Sequence, residues 1–132
     1  MQYIDRIQYA HHLTSLSNWN MTAEVRPHYK LKQHIASNKL QNLSLMTGVN
    51  AVFGSLEPDR DFKISPMFHL HLLLDIDNHI VDIKKTIADG LNIRQKQVVY
   101  VQPVKGLDQT AKYVTKRLNS PYSHHDFYMS TT

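Results

Sequence analysis

Residues 68–76, FHLHLLLDI, decide the fold of this chain. Apolar side chains occupy every second position of this stretch, and the positions between them carry His69, His71, a leucine and Asp75. Successive side chains of a β-strand point to opposite faces of a sheet. The stretch is therefore predicted to be a strand that buries one face in a core and carries two imidazoles on the other.

The residues that follow predict a helix and a second strand. Asp77 and Asn78 provide turn chemistry and a helix cap before IVDIKKTIADGL (80–91), in which apolar residues recur at spacings of three and four. Gly90 is expected to end this helix. The β-branched stretch QVVYVQPV (97–104) is predicted to be a strand that stops at its proline.

A last helix is predicted from its apolar stripe. The stripe is formed by Leu107, Ala111, Val114 and Leu118. Asp108 near the start and Pro121 after the end agree with helix boundaries at these points. Strand, helix, strand and helix therefore alternate through the second half of the chain.

Upstream of residue 68 the spacing of apolar residues is less regular. Helices are predicted over Asp5–Leu16 and from about His28 to Leu40. LSLM (43–46) and VNAVFGSLE (49–57) are predicted to be two strands, with Thr47 and Gly48 as the turn between them. The fold class that follows is α+β, with helices packed on a mainly antiparallel sheet.

The domain organisation predicted for the 132 residues is a single domain, because neither repeats nor a linker-like stretch is present. We expect a helical N-terminal part over residues 1–40, a core over residues 41–119 and a frayed tail over residues 120–132.

Composition narrows the classes of function. The chain has no cysteine, which excludes a disulfide framework, a zinc–thiolate site and a cysteine nucleophile. A formal charge of +4 suits a polyanionic partner such as nucleic acid. The apolar stretches are too short to cross a bilayer, so we expect a cytoplasmic protein without a membrane partner.

Histidine and carboxylate side chains point to a metal site. His69 and His71 would project from the same face of one strand, close enough to bind one cation. A hard cation also requires an oxygen ligand. Glu57 could supply it if residues 49–57 lie beside residues 68–76, and Asp59 or Asp61 could replace it. The alternative interpretation is that the two histidines are ordinary surface residues.

Tyr113 is the candidate nucleophile. It lies in AKYVTKR (111–117), with Lys116 one helical turn onward. A phenol has a pKa near 10, so a nucleophilic tyrosine requires nearby cations and a polarised electrophile. Lys112, Arg117 and Lys105 are candidates for contacts with phosphates. The alternative is a tyrosine that only packs at the edge of the core.

Three stretches, in order, carry a resemblance to a known family. They are GSLEPDRD (54–61), MFHLHLLLDI (67–76) and VVYVQPVKGLDQTAKYVTKR (98–117). Together they resemble the HUH endonucleases, in particular the rolling-circle replication initiator (Rep) proteins of small plasmids and phages. The resemblance implies a ferredoxin-like or RRM-like HUH endonuclease fold. It covers roughly residues 50 to 119.

The resemblance also implies an activity. His69, His71 and a third residue such as Glu57 would hold Mg²⁺ or Mn²⁺ against a scissile phosphate of single-stranded DNA at a replication origin. Tyr113, assisted by Lys116, would attack the phosphorus and leave a 5′-phosphotyrosine and a free 3′-hydroxyl. This transesterification conserves bond energy and can be reversed to rejoin the strand.

The sequence departs from the family in three ways. Two-tyrosine initiators carry a second tyrosine one helical turn after the first, where this chain has Arg117, so a homodimer or a water would complete a replication cycle. The FLTLT-like strand of the family is only loosely matched by NLSLMTG (42–48). No phosphate-binding loop of the helicase type occurs, so a host helicase and polymerase would be required.

Two other interpretations remain open. The first is another HUH enzyme, a single-tyrosine transposase or a plasmid relaxase. The second is a non-catalytic, ferredoxin-like module that binds nucleic acid. Such a module usually stacks bases on aromatic side chains of an open sheet face, where this sequence has histidines.

Overall fold

A five-stranded sheet organises the chain. The computed structural model describes residues 5–27, 31–58, 68–119 and 123–130. The elements are α1 (Arg6–Leu16), β1 (Met21–Val25), α2 (Gln33–Ser44), β2 (Val49–Pro58), β3 (Phe68–Ile76), α3 (Ile83–Leu91), β4 (Val98–Pro103), α4 (Leu107–Val114) and β5 (His124–Met129). All strand pairs are antiparallel, in the order β4-β1-β3-β2-β5. The predicted α+β class is confirmed, and the architecture is compatible with a ferredoxin-like fold.

The central strand β3 buries both of its faces. Leu70, Leu72 and Leu74 pack with residues of α2 and α3 on one face of the sheet. Leu73, on the other face, packs with residues of α1 and α4. The alternating side chains of β3 therefore contribute to two apolar layers, one on each face of the sheet. The histidines of β3 lie on the face that α1 and α4 cover only in part.

Strand β1 was not predicted. The helix predicted over Asp5–Leu16 is observed as α1 (Arg6–Leu16), and it begins after Asp5, whose carboxylate accepts from two amides of the first turn. Residues 21–25 then form a strand between β3 and β4 instead of continuing a helical segment. The N-terminal part of the chain therefore contributes a strand to the sheet itself.

The prediction of a strand at LSLM (43–46) was wrong. Leu43 and Ser44 form the last turn of α2, and residues 45–48 turn into β2. The buried residues of α2 include Ala36, Leu40 and Leu43, which recur at helical spacing. A short apolar run does not distinguish a buried helix end from a strand. Consequently α2 extends four residues beyond its predicted end, and His28 to Lys30, at its predicted start, lie outside the described residues.

Two predicted helix boundaries also move. The helix α3 begins after Asp82, whose carboxylate accepts from the Lys85 amide, and not after Asp77 or Asn78. It ends at Leu91 and not at Gly90, and the next residue, Asn92, caps it in the left-handed conformation at φ 55°. The helix α4 ends at Val114, and residues 115–119 continue as turns.

The tail predicted to be frayed contains the edge strand β5. It pairs with β2 along six residues. Three polar residues also join β5 to α2. His124 Nε2 lies 2.8 Å from Ser37 Oγ and 2.7 Å from Asp126 Oδ2. The Ser37 hydroxyl also donates to Asp126. The same imidazole nitrogen contacts both partners, so this serine–histidine–aspartate set cannot relay a proton between two ring nitrogens. We therefore assign it a structural role in holding β5.

The described helices contain no membrane span. None of them combines the length and the apolar composition that crossing a bilayer requires.

Candidate metal and tyrosine site

The site begins with the two histidines of β3. His69 and His71 project from the same face, and their Nε2 atoms lie 3.1 Å apart. Only 8% and 1% of their surfaces are exposed. Two imidazole nitrogens so close together inside the protein offer a nitrogen pair for one cation. The arrangement agrees with the spacing read from the sequence.

Carboxylates flank the histidines on both neighbouring strands. Glu57 of β2 lies directly opposite His69, and Glu24 of β1 lies directly opposite His71. Cross-strand partners share one face of a sheet. Glu57 Oε2 lies 3.2 Å from His71 Nε2, and Glu24 Oε1 lies 3.9 Å from His71 Nδ1. The two carboxylates therefore approach opposite edges of the same imidazole.

Three of these residues form a cluster that can hold a metal ion. Glu24, His69 and His71 each offer a ligand atom, and these atoms lie within 4.8 Å of one another. Among the described residues, His71 Nδ1 is a buried side-chain nitrogen without a hydrogen-bond partner. Nitrogen and carboxylate donors of this kind bind several divalent metals, so the donor set does not identify the ion.

Glu24 was missed at the sequence level, and the signal for it was weak. It lies on β1, which was not predicted as a strand. Within MTAEV (21–25), polar Thr22 and Glu24 alternate with apolar residues, which is the pattern of a half-buried strand. Glu57 was the predicted carboxylate, and its place beside the histidines depends on the pairing of β2 with β3 that is observed. Asp59 and Asp61 lie outside the described residues.

Lys116 reaches into this cluster from the turn after α4. Its Nζ atom lies 3.2 Å from Glu57 Oε2 and 3.2 Å from His71 Nε2. Burial raises the pKa of Glu57, while the charges of Lys116, His69 and Arg117 oppose that change. An ammonium group only donates, so in the tautomer that accepts from Lys116 the lone pair of His71 is on Nε2. The single proton of a neutral His71 is then on Nδ1, on the side of Glu24.

Tyr113 lies against the same imidazole. Its ring meets the His71 ring edge to face, with centroids 5.1 Å apart. Lys116 Nζ lies 4.0 Å from the centre of the Tyr113 ring. Half of the tyrosine surface is exposed. The fold thus brings together Tyr113, Lys116, His71 and Glu57, which are separated by up to 59 positions in the sequence.

Neighbouring charges orient the Glu24 carboxylate and keep His71 unprotonated. Arg26 Nε binds Glu24 Oε2 at 2.9 Å, which leaves the other oxygen of Glu24 towards His71. Burial, followed by the charges of Lys116, His69 and Arg26, lowers the pKa of His71 to about 3. The imidazole of His71 is therefore neutral at physiological pH, which is the form that binds metals.

The three other basic residues predicted for phosphate contacts lie in different places. Arg117 is exposed and close enough for its charge to act on Glu57. Lys105 lines a cleft with Thr22 of β1. Lys112 lines a smaller cleft beside α1 and Asp108. The charge of Arg117 lowers the pKa of Glu57, beside the two histidines.

The low pKa of His71 predicts how stability depends on pH. An unfolded histidine binds a proton near pH 6.5, whereas folded His71 does so only near pH 3. Between these values the unfolded state binds more protons, so the free energy of unfolding falls as pH is lowered. We expect His71 to account for a loss of about 2 kcal/mol between about pH 7 and pH 4.5.

Urea denaturation in EDTA at these two pH values measures the effect. His71→Gln should reduce the loss. The raised pKa of Glu57 acts with the opposite sign, because its contribution to stability is present at low pH and is lost as pH rises above its ordinary value. Glu57→Gln should therefore make the loss on acidification larger. An equal pH dependence in wild type and His71→Gln would contradict the assignment.

Comparisons of the chain with protein-family models, curated proteins and solved structures each found no match. A function for the chain therefore has to be inferred from the residues and geometry of the site.

Proposed function

We propose that this chain is a metal-dependent enzyme that nicks and rejoins single-stranded DNA, as a single-tyrosine replication initiator of the HUH endonuclease type. The observation that carries the proposal is the contact between Tyr113 and His71, with Lys116 touching both rings. A binding module needs neither a buried histidine pair nor a half-exposed tyrosine beside it. A tyrosine nucleophile that acts at a metal-bound phosphate needs both.

The reaction is a transesterification at phosphorus. The Tyr113 oxygen forms a bond to phosphorus as the bond to the 3′-oxygen breaks, and the phenolic proton is balanced by the proton that the 3′-hydroxyl gains. Lys116 lies beside the ring whose oxygen becomes the nucleophile, so its charge favours the phenolate. In the joining step the 3′-hydroxyl attacks the phosphotyrosine, and Tyr113 leaves.

We propose Mn²⁺ or Mg²⁺ as the ion, held by His69, His71 and Glu57. When bound, the ion withdraws charge from the phosphate oxygens. Glu57 lies on the Nε2 side of His71, where the lone pair is, whereas Glu24 lies on the protonated Nδ1 side. Glu24, 3.9 Å from Nδ1, is accordingly proposed as a carboxylate behind the ligating histidine, where its charge favours the tautomer with the proton on Nδ1.

Completion of a replication cycle would involve further partners. The position one helical turn after Tyr113 is occupied by Arg117, so a second nucleophile would come from another copy in a homodimer or from water. The substrate is single-stranded DNA at a replication origin, exposed and copied by a host helicase and polymerase.

The non-catalytic alternative fits the fold less well. Modules that bind single strands on a sheet stack bases on aromatic residues of an open face. Here α2 and α3 cover one face of the sheet, and α1 and α4 cover much of the other. The polar part of the face covered by α1 and α4 is formed by His69, His71 and the two glutamates opposite them, which we call the histidine cluster.

Covalent attachment to DNA tests the proposal. The purified protein is incubated with labelled single-stranded oligonucleotides that tile its own replicon, in Mn²⁺, and the products are separated on a denaturing gel. A DNA–protein adduct that EDTA prevents is expected. Tight binding to the same oligonucleotides without an adduct would favour the non-catalytic module.

Lys116→Met should separate metal binding from cleavage. The ammonium group contacts both Glu57 and His71, so an ion that binds these residues must displace it. Its removal is expected to tighten Mn²⁺ binding about 10-fold and to slow adduct formation by about 100-fold or more. Calorimetric titration with Mn²⁺ and the gel assay measure the two effects. Lys84→Met, on the exposed surface of α3, is the matched control, and weaker Mn²⁺ binding by Lys116→Met would refute the competition.

A further inference from the structure

A cleft opens beside the histidine cluster, between β1, β4 and α4. It has a volume of about 390 Å³ and is lined by Thr22, Gln102, Pro103, Lys105 and Thr110. We call it the β1–β4 cleft. Its size is within the range of small-ligand sites.

The cleft lies one step along β1 from Glu24, the residue opposite the proposed metal ligand His71. Thr22 pairs with Gln102 across β1 and β4, and two residues further along β1, Glu24 pairs with Tyr100. Residues two apart on a strand lie on the same face and are separated by about 7 Å. A strand of DNA whose phosphate lies at the histidines can therefore place a neighbouring nucleotide in the cleft.

The polar groups of the cleft suit a nucleobase and a phosphate. The Thr22 hydroxyl donates to the Leu72 carbonyl at 3.0 Å, and the Thr110 hydroxyl donates to the Gly106 carbonyl at 3.2 Å. Because both protons are used inside the protein, both hydroxyl oxygens present lone pairs as acceptors. The exposed amide of Gln102 offers a donor and an acceptor, and Lys105 adds a positive charge.

Tyr100 lies on β4, two residues before Gln102 of the cleft. It is opposite Glu24 and is partly buried. Burial, then the charges of Glu24 and Tyr113, raise the pKa of its phenol. A partly buried aromatic ring beside a polar cleft provides a surface on which a base can stack.

We propose that the β1–β4 cleft binds the nucleotide next to the scissile phosphate and selects its base, with Tyr100 stacking on the base, Gln102 contacting its edge and Lys105 contacting a phosphate. This inference rests on the proposed nicking function for the position of the scissile phosphate. It adds a site that determines DNA sequence preference.

Binding is measured apart from cleavage, in Tyr113→Phe protein with EDTA, by fluorescence anisotropy with a randomised pool of single-stranded oligonucleotides. Tyr100→Ala is expected to weaken binding about 5- to 150-fold. Lys105→Met should lower the slope of log Kd against log salt by about 0.7. Lys84→Met, on the exposed surface of α3, is the matched control and should leave the slope unchanged.

Base selection is measured by sequencing the oligonucleotides that the protein retains from the same pool. Tyr113→Phe protein should enrich one base at one position, and addition of Gln102→Ala should reduce that preference at least about 5-fold. Gln41→Ala on exposed α2 is the control. If the Gln102 and Lys105 variants bind and discriminate as their controls do, the inference is wrong, even if wild type forms adducts. Loss of binding in these variants without adducts in wild type would support the cleft and reject nicking.

Discussion

Tyr113→Phe is expected to reduce covalent attachment to single-stranded DNA by at least about 10³-fold, because removal of a nucleophile eliminates the bond-forming step. The substitution keeps the ring, and with it the contact with His71 and the position of Lys116. Binding of Mn²⁺ and of DNA should therefore change by less than about 3-fold. A denaturing gel of labelled oligonucleotides measures attachment, and anisotropy measures DNA binding.

Two other tyrosines serve as controls for that variant. Tyr128→Phe alters a residue of β5 that packs against the core on the far face of the sheet. Tyr100→Phe removes a phenol whose pKa is raised in part by the charge of Tyr113. Both variants should form adducts at the wild-type level. Mass spectrometry that located the DNA on Tyr100 would show that the nucleophile had been assigned to the wrong tyrosine.

Much of this fold could be predicted because its elements have strong local patterns. The strand β3 has an apolar residue at every second one of its nine positions, and α4 carries an apolar stripe at helical spacing. His69 and His71 lie on β3, Tyr113 lies on α4, and Lys116 lies in the turn that follows α4. Their approach in space follows from packing α4 on one face of the sheet. The candidate site was therefore largely accessible from the sequence.

Strands β1 and β5 were not predicted, because they form through their pairing with other strands and not through a strong local pattern. Strand β1 has five residues, too few for a periodic signal to exceed chance, and it is held by ladders to β3 and β4 on both sides. Strand β5, HHDFYM, has no buried residue and is defined by its pairing with β2 and its contact with Ser37. Tertiary partners decide such strands, and local propensity does not. Glu24 could not be placed at the site for the same reason.

The two carboxylates at the histidines should contribute unequally to metal binding. Glu57→Gln is expected to weaken Mn²⁺ binding about 100-fold or more, since it removes the oxygen beside the lone pair of His71 Nε2. Glu24→Gln removes a carboxylate that faces the protonated Nδ1 and is also bound by Arg26, and we expect a loss of about 10-fold. Calorimetric titration with Mn²⁺ gives both affinities.

Thermal unfolding distinguishes a lost ligand from a damaged fold. Wild type should gain about 2.7 kcal/mol of stability at Mn²⁺ concentrations 100 times Kd. Glu57→Gln should lose this gain and yet unfold cooperatively in EDTA, because an amide occupies the same volume and relieves the burial of a charge. A larger loss of affinity in Glu24→Gln than in Glu57→Gln would reverse the assignment. Glu24 would then be the metal ligand, and the role of Glu57 would be its ion pair with Lys116. Cleavage would have to proceed while Lys116 still contacts both Glu57 and His71.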